Sequence, residues 1–496
     1  MSDEPALVWT VEAADLLTPV AAFLKLRRHL PGADRNGFLL ESIEGGTARG
    51  RYSVIGLLPD LIWRCRDGEV ALCRDPADGS CTADARPAIE SLRALIAESR
   101  LALPAGLPPM IGGLFGYLGY DMVRRMEHLP NPPPDDLGLP EAMLLRPSLF
   151  AVFDNVRDEL TLAVPVRGGG DGDVASAEAL LARAQDALSL ELPLADAPAA
   201  GVPPEPIEPR SNFTRDAFLA AVRRIQNYIA AGDAFQVVPS QRFSAPFAPS
   251  PFALYRALRR INPAPFLFFL DLSMPECGGF QLVGSSPEVL VRLRDQTVTV
   301  RPLAGTRPRG ADKAADRALE AELLTDPKER AEHLMLVDLG RNDVGRVAEL
   351  GSVKVRESFV IERFSHVMHI SSTVEGRLRP ELDAVDALVA GFPAGTLTGA
   401  PKIRAMEIID EVEPTRRGTY AGCIGYFGAD GTMDTCIGLR MALIKDGTMH
   451  VQAGCGVVAD SVPEAEYEET RQKARALFRA ADAALAAAHA QKRHAL

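Results

Sequence analysis

The stretch KERAEHLMLVDLGRND, residues 328–343, is the part of the sequence that most constrains the fold and the site. Its first twelve residues lie in a predicted long helix over residues 316–339, where Glu329 and Glu332 are three residues apart and share one face. A second predicted helix, residues 463–488, repeats the spacing with Glu466 and Glu469, and Lys473 follows one turn later. Four carboxylates from two helices would form an oxygen-rich site suited to Mg²⁺.

Solvated helix faces are the alternative explanation for these carboxylate pairs. Asp and Glu make up 66 of the 496 residues, so two acids three residues apart often occur by chance. The spacing alone therefore leaves both interpretations open.

Composition excludes several classes of protein. With 54 Lys+Arg against 66 Asp+Glu, the net charge is −12, which argues against a protein that coats nucleic acid. No apolar run approaches the roughly 18 residues of a membrane-spanning helix, and the N-terminus lacks a secretory pattern. The seven cysteines are widely spaced without a CxxC motif, which favours a cytoplasmic protein with free thiols. His366 and His369 form an HxxH pair that lacks a third zinc ligand.

One proline-rich segment divides the chain. Residues 193–210 contain six prolines in 18 positions, so they predict a linker instead of a helix or a central strand. It separates an N-terminal region, residues 1–192, from a larger region, residues 211–490. Helices and strands do not alternate strictly in the predicted pattern, which favours an α+β fold. In the larger region, Thr214 and Gly232 are predicted to begin and end an amphipathic helix.

Several longer strings surround the glutamates: SSPE (285–288), PLAGT (302–306), DLGRND (338–343) and GTLTGAPK (395–402). Together they resemble the chorismate-utilising enzymes, most closely the anthranilate synthase component I family. The resemblance covers residues 212–481 and reaches the N-terminal region through LLES (39–42), RYS (51–53) and GLFGYLGYD (113–121). It implies one large α+β body of mixed, mainly antiparallel sheets flanked by helices, with the N-terminal region packed against the catalytic part.

The resemblance also implies roles for individual residues. Mg²⁺ would be held by Glu329, Glu332, Glu466 and Glu469. Chorismate would be bound by Thr396, Tyr420, Arg440, Gly454, Cys455, Gly456 and Lys473, with Lys402 at a nearby basic position. Glu288 would be the general acid for the departing C4 hydroxyl, which requires a raised pKa. His369 would line the ring and is a candidate for the second stage, although a packing histidine is the alternative.

Two positions separate the related activities. Isochorismate synthases carry a water-activating lysine where this sequence has Gln236, and aminodeoxychorismate synthases commonly carry a lysine where it has Ala304. Ala304 and the Gly395-Thr396 pair both favour anthranilate synthase, which makes anthranilate and pyruvate from chorismate and ammonia in tryptophan biosynthesis. Aminodeoxychorismate synthase component I is the alternative, and a ligand-binding regulator without catalysis is a second.

The resemblance further implies feedback by L-tryptophan and a partner. The feedback residues would be Leu40, Glu41, Ser42, Pro265, Phe266 and Leu267. NPAPFLF (262–268) departs from the NPSPYMF common in the family. Tryptophan inhibition is still expected, the departure leaves the affinity open, and a plain apolar core strand is the alternative. No glutaminase segment is evident, so a separate glutamine amidotransferase subunit would supply ammonia.

Overall fold

The computed structural model describes residues 6–44, 48–76, 79–167, 171–192, 207–364 and 367–493. Most of the predicted linker, residues 193–206, and His366 lie outside the described residues, and the domain boundaries at 192 and 210 stay predictions. The α-helices are α1 Pro19–His29, α2 Ala88–Glu98, α3 Asp171–Ser189, α4 Arg215–Ala231, α5 Pro251–Ile261, α6 Lys313–Thr325, α7 Pro327–Gly345, α8 Ala384–Gly391, α9 Lys402–Val412 and α10 Pro463–Arg493. Short 3₁₀-helices cover Tyr120–Arg125 and Gly395–Leu397.

The strands before the linker are β1 Ala6–Ala13, β2 Gly37–Glu44, β3 Ala48–Arg66, β4 Glu69–Arg74, β5 Thr82–Asp84, β6 Leu114–Leu118, β7 Ala142–Asp154 and β8 Glu159–Val166. Those after it are β9 Arg210–Ser211, β10 Gln236–Val237, β11 Ser240–Pro246, β12 Phe266–Met274, β13 Gly278–Ser286, β14 Val289–Arg294, β15 Thr297–Val300, β16 Leu303–Pro308, β17 Lys354–Arg363, β18 Val367–Arg377, β19 Gly399–Ala400, β20 Cys423–Phe427, β21 Met433–Ile437, β22 Met441–Lys445 and β23 Thr448–Gly454.

Strands from both sides of the linker share one extended sheet. Of the described strands, 21 belong to this sheet, while β10 and β19 form a separate pair. Strand β2 pairs antiparallel with β12, which sets Glu41 opposite Leu267, and β6 pairs antiparallel with β20. Helices α1, α3, α5 and α10 contribute to one apolar core against this sheet. The α+β fold expected from the sequence is confirmed, and the N-terminal strands support the strands that carry the site.

Local sequence signals place helix α4 as predicted. Thr214 caps its N-terminus by accepting the Ala217 N–H at 3.2 Å, and Gly232 ends it in the left-handed conformation with φ 87°. Phe218, Val222 and Ile225 are buried on one face. The capping residues therefore fix both ends of this helix.

Two predictions are wrong. The single helix over residues 316–339 is two helices, because Asp326 ends α6 and its side chain caps α7, whose first residue is Pro327. Cys73 and Cys81 were expected as free thiols but form a disulfide. The register of β4 and β5 is the reason, since Leu72 lies opposite Thr82 and brings the two cysteines face to face. The other five cysteines are free.

We find no helix among the described residues that is both long enough and apolar enough to span a membrane.

Candidate active site

Helix α7 presents the first carboxylate pair at its N-terminus. Asp326 accepts the N–H groups of Lys328 and Glu329 at 2.9 and 3.2 Å, so the first turn has a fixed orientation. Arg307 on β16 donates to Glu329 at 3.2 Å, and Gln236 on β10 donates to Glu332 at 3.2 Å. Two strands thus hold the two glutamates on one side of the helix, as the spacing predicted.

Helix α10 presents the second pair. Lys473 lies 2.7 Å from Glu469 and donates to the Gly454 carbonyl at 2.9 Å, which ties the helix to the end of β23. Glu466 is 8% exposed, and its Oε2 is buried without a hydrogen-bond partner among the described residues. Burial raises the pKa of Glu466, and the neighbouring Glu469 charge adds to that effect.

The four glutamates repel one another across the gap between α7 and α10. Burial raises the pKa of Glu332, and Glu329 and Glu469 raise it further against the opposing Gln236 amide and Lys473. Within the described ranges, no three His, Cys, Asp or Glu side chains stand close enough together to hold a metal ion. Hard carboxylate oxygens, with one buried and unpartnered, nevertheless fit Mg²⁺, which takes only one or two protein carboxylates beside waters and substrate oxygens.

Glu288 is a buried carboxyl between β13 and β14. It is 6% exposed, and its Oε1 accepts the Leu303 N–H at 3.4 Å. Burial raises the pKa of Glu288 to about 8, against the opposing effect of Arg440 and with a smaller contribution from the Glu362 charge. It lines a small cavity together with Thr396, whose buried hydroxyl faces the Glu288 carboxyl and opposes the rise of its pKa. At neutral pH this carboxyl keeps its proton and can donate it.

His369 on β18 is held in one tautomer. Its Nδ1 lies 2.8 Å from the Gly305 carbonyl, which can only accept, so Nδ1 carries the hydrogen. The Nε2 lone pair is buried and has no partner among the described residues. Burial first, and then the charge of Arg440, lower the pKa of His369 to about 4. The ring is therefore neutral near pH 7 and can accept a proton at Nε2.

Arg440 follows β21 in the left-handed region, with φ 48°. Its backbone carbonyl accepts the Ser285 N–H at 3.1 Å, which fixes the residue beside the β13–β14 connection and Glu288. Burial lowers the pKa of Arg440, which Glu288 opposes. Its guanidinium makes no hydrogen bond or ion pair within the described part of the chain. An unpaired guanidinium in a partly buried position can bind a carboxylate through both nitrogens.

The glycine turn after β23 leaves no room for side chains. A Cβ on Gly454 would lie 2.8 Å from the Pro239 carbonyl and 3.0 Å from the Tyr420 hydroxyl. A Cβ on Gly456 would lie 2.5 Å from Gln236 Nε2. Cys455 is fully buried, and its N–H already donates to the Pro239 carbonyl at 3.1 Å. Burial raises the pKa of the Cys455 thiol well above its usual value, so the thiol is inert.

Lys402 has a partner that the sequence motifs did not reveal. Its Nζ lies 2.9 Å from the carboxylate of Asp343, and both side chains are about nine-tenths buried. The ion pair therefore joins the end of DLGRND to the end of GTLTGAPK. Lys402 acts by holding these two segments together, not as a free cation beside the substrate.

Arg417 is a site residue that the sequence did not single out. Its guanidinium is buried with Glu413, and it donates to the carbonyls of Leu397 and Val238 at 2.6 Å each. It also lies 5.6 Å from the Tyr420 ring centroid. It thus connects the Thr396 segment, β10 and Tyr420. The only available signal was its position three residues before Tyr420, because charge pairs that are distant in sequence leave no periodic pattern.

The six predicted feedback residues lie together in a separate, larger cavity of about 800 Å³. Leu40, Glu41 and Ser42 come from β2, and Pro265, Phe266 and Leu267 from the start of β12. Glu41 accepts from Tyr255 at 2.5 Å and from Arg259 at 2.6 Å, which holds β2 against α5. The cavity walls carry both arginines and acids, so they suit a ligand with both charges.

Comparisons with known proteins agree with this arrangement. A family model described as chorismate binding enzyme matches residues 59–479. Anthranilate synthase component 1 of Cereibacter sphaeroides is 55% identical over 491 residues, covering 96% of this chain and 94% of that protein. The protein of the same name from Thermus thermophilus is 48% identical, covering 95% and 96%.

Solved structures give the same result. The crystal structure of anthranilate synthase component I from Streptococcus pneumoniae has a TM-score of 0.75 at 35% identity, covering 86% of this chain and 92% of that one. The menaquinone-specific isochorismate synthase of Escherichia coli shares the fold, with a TM-score of 0.69 at 20% identity and coverage of 97% and 95%. The chain belongs to the chorismate binding enzymes and, within them, to the anthranilate synthase component 1 family.

Proposed function

We propose that this chain converts chorismate and ammonia to anthranilate and pyruvate. The observation that carries the proposal is the Arg440 guanidinium beside a protonated Glu288, with a neutral His369; neither that guanidinium nor His369 Nε2 has a hydrogen-bond partner in the described part of the chain. A cation for a carboxylate, an acid and a base are the groups that this conversion requires.

The first stage replaces the C4 hydroxyl of chorismate. Ammonia adds at C2, the ring double bonds shift, and the hydroxyl leaves as water after taking the Glu288 proton. The new ammonium group then loses one proton, which balances the proton that Glu288 gave up. Arg440 and Tyr420 hold the enolpyruvyl carboxylate, and Thr396 lies along the ring. Gln236 stands where a water-activating lysine would be, and its Oε1 is a buried acceptor without a partner among the described residues. Ammonia needs no such base, because it is nucleophilic as it is.

The second stage forms the aromatic ring. His369 Nε2 takes the C2 proton, the C–H electrons form the new ring double bond, and the ring C–O bond to the enolpyruvyl group breaks. The enolpyruvate that leaves takes up one proton, which balances the one removed from C2, and becomes pyruvate. The Gly305 carbonyl holds the Nδ1 hydrogen, so it stabilises the imidazolium that forms.

We propose Mg²⁺ as the cofactor, held by Glu329, Glu332, Glu466 and Glu469 directly or through water. When bound, it would neutralise the ring carboxylate and withdraw electrons from the ring. The unpartnered Glu466 Oε2 and the raised pKa values of Glu332 and Glu466 support this assignment. Lys473 then has a carboxylate of the substrate as its alternative partner to Glu469.

The test mixes the protein with chorismate, Mg²⁺ and ammonium at pH 8 and identifies the products. Anthranilate and pyruvate in equal amounts are expected. Aminodeoxychorismate without pyruvate would mean that the alternative function is correct. Ala304 argues against that outcome, because it lies on β16 opposite Ile370, next to His369, where it offers no nucleophile. Glu332→Gln is expected to abolish Mg²⁺-dependent turnover without unfolding the chain.

Two regulatory and assembly features belong to the same proposal. L-Tryptophan would occupy the larger cavity and inhibit, with the indole against Phe266 and Leu267. A glutamine amidotransferase subunit would supply ammonia in the cytoplasm, so the chain alone should use ammonium but not glutamine. Tryptophan binding by titration calorimetry and turnover with each nitrogen donor test these two features separately.

A further inference from the structure

The larger cavity and the Glu288 cavity share a wall. Val289 and Arg301 line both of them, and the neighbouring Pro287 and Glu288 face one each. Arg301 lies in the short connection between β15 and β16. A change at Arg301 therefore reaches both cavities without any movement of the sheet.

Arg301 is paired with Glu362, but the pair is incompletely hydrogen-bonded. Arg301 Nη2 lies 2.8 Å from Glu362 Oε1 and, more distantly, 3.6 Å from Glu357 Oε2 on the same strand. Arg301 Nε and Glu362 Oε1 are nevertheless both buried without an aligned hydrogen-bond partner among the described residues. A buried polar atom without a partner costs free energy, so a ligand that aligns better with Arg301 or with Glu362 can replace the other member of the pair.

Arg301 differs in this respect from the other arginines that line the larger cavity. Arg292 and Arg294 lie 3.0 and 2.8 Å from Asp434, and Arg51 lies 3.0 Å from Asp154. Arg363 is paired with Glu320. Among these five arginines, Arg301 alone has a buried nitrogen without a partner in the described chain. A carboxylate that enters the cavity therefore gains most at Arg301.

Glu362 connects the pair to the reacting groups. It lines the larger cavity on β17, and the register of β17 and β18 places it directly opposite His369. Its charge also reaches Glu288, where it adds to the effect of burial on the pKa and acts against Arg440. The groups that face Glu288 are thus Arg440, Glu362, the Leu303 N–H and Thr396.

We propose that the Arg301–Glu362 pair is the positioning element through which an amino acid in the larger cavity controls the site at Glu288 and His369. This inference rests on the proposed tryptophan feedback. The carboxylate of the ligand pairs with Arg301, Glu362 loses its counter-ion, and the strand segment opposite His369 shifts. Because coupling between two sites is reciprocal, bound chorismate must weaken tryptophan binding by the same factor.

Titration calorimetry with L-tryptophan, with and without saturating chorismate plus Mg²⁺ and without ammonium, measures that factor. For the wild type, chorismate should raise the tryptophan Kd by about tenfold or more, within the usual range of allosteric coupling. Glu362→Gln should still bind tryptophan but show a factor below about three. The loss of activity of this variant at high pH should also begin at a lower pH than in the wild type, because the Glu362 charge that helps to keep Glu288 protonated is gone.

The matched control is Glu375→Gln, which removes the acid of an Arg356–Glu375 pair in the same β17–β18 hairpin and should keep the wild-type factor. Arg301→Gln removes the cation of the pair. In the absence of chorismate it should weaken tryptophan binding about tenfold, which is about the effect of losing one charge-assisted hydrogen bond. Thermal unfolding checks that each variant is folded.

The outcomes separate the two proposals. A wild type that binds no tryptophan overturns the feedback and this inference with it. If the wild type shows coupling and folded Glu362→Gln keeps the full factor, the inference alone fails. An unchanged tryptophan affinity of Arg301→Gln overturns the inference as well. This test remains available even when Glu362→Gln does not fold.

Discussion

Replacing Glu288 by glutamine should stabilise the protein while it stops the reaction. Glutamine keeps the shape of the side chain and an acceptor for the Leu303 N–H, but it cannot deliver a proton. The general-acid step is then lost, and kcat should fall about 10²- to 10⁴-fold. The stability effect follows from the pKa.

The sign and size of the effect of Glu288 on the free energy of unfolding come from its pKa in the folded and in the unfolded chain. Burial raises the pKa of Glu288 from 4.5 to about 8. The contribution of Glu288 to stability is fully present below pH 4.5 and is lost as the pH rises towards 8, because the unfolded chain releases this proton more easily than the folded chain does. The loss is about 1.4 kcal/mol per pH unit, or about 3 kcal/mol at pH 7. At about 2 cal/mol/K per residue, this corresponds to about 3 °C in Tm.

The assay is thermal unfolding of both proteins at pH 5, 6, 7 and 8, followed by the fluorescence of the fully buried Trp63. The Tm advantage of Glu288→Gln should be small at pH 5 and grow towards pH 8. A difference that does not change with pH would contradict the raised pKa, because it would mean that Glu288 is already ionised in the folded protein. In that case Glu288 could not serve as the acid.

Three further predictions concern other groups of the site. Glu466→Gln should weaken Mg²⁺ binding about 10- to 100-fold, as measured by calorimetry. The control Glu464→Gln, half-exposed on the first turn of α10, should not. Equal Mg²⁺ affinities of the two variants would remove Glu466 from the metal site. Arg417→Lys should cost about 1–3 kcal/mol of stability and lower kcat, because a single ammonium nitrogen cannot replace the separately placed Nη1 and Nη2 that reach the two carbonyls and Glu413. Urea unfolding and kinetics check this against Arg416→Lys. Cys455→Ala should keep kcat within about twofold, since a buried thiol of raised pKa does no chemistry; a larger loss would give the thiol a role.

Local signals in the sequence predicted much of the architecture. The Thr214 cap and the Gly232 end of α4 appear as expected, and the i, i+3 glutamates share faces of α7 and α10. The same local chemistry also explains the main error, the prediction of one continuous helix. Asp326 ends α6 and caps the N-terminus of α7, and Pro327 is the first residue of α7. A cap followed by proline outweighed the apolar pattern across that junction.

Contacts between distant segments could not be predicted in this way. The Lys402–Asp343 pair, the Arg417 hydrogen bonds and the Cys73–Cys81 disulfide all depend on how strands and helices are placed beside each other. A charge that is satisfied inside the fold looks the same in the sequence as a charge on the surface. The resemblance gave the position of Lys402 but not its partner, so its role changed once the partner was known.

The net charge of −12 and a dianionic substrate are compatible because one buried proton, on Glu288, decides whether the cationic Arg440 has a counter-ion inside the protein. If Glu288 were ionised, the nearby guanidinium would have an internal counter-ion, and the substrate carboxylate would have to displace it. Burial keeps Glu288 neutral at pH 7, which leaves Arg440 unpaired and at the same time stores the proton for the C4 hydroxyl. Binding and proton donation therefore depend on the same ionisation, and both kcat and the affinity for chorismate should decline together as the pH rises past about 8.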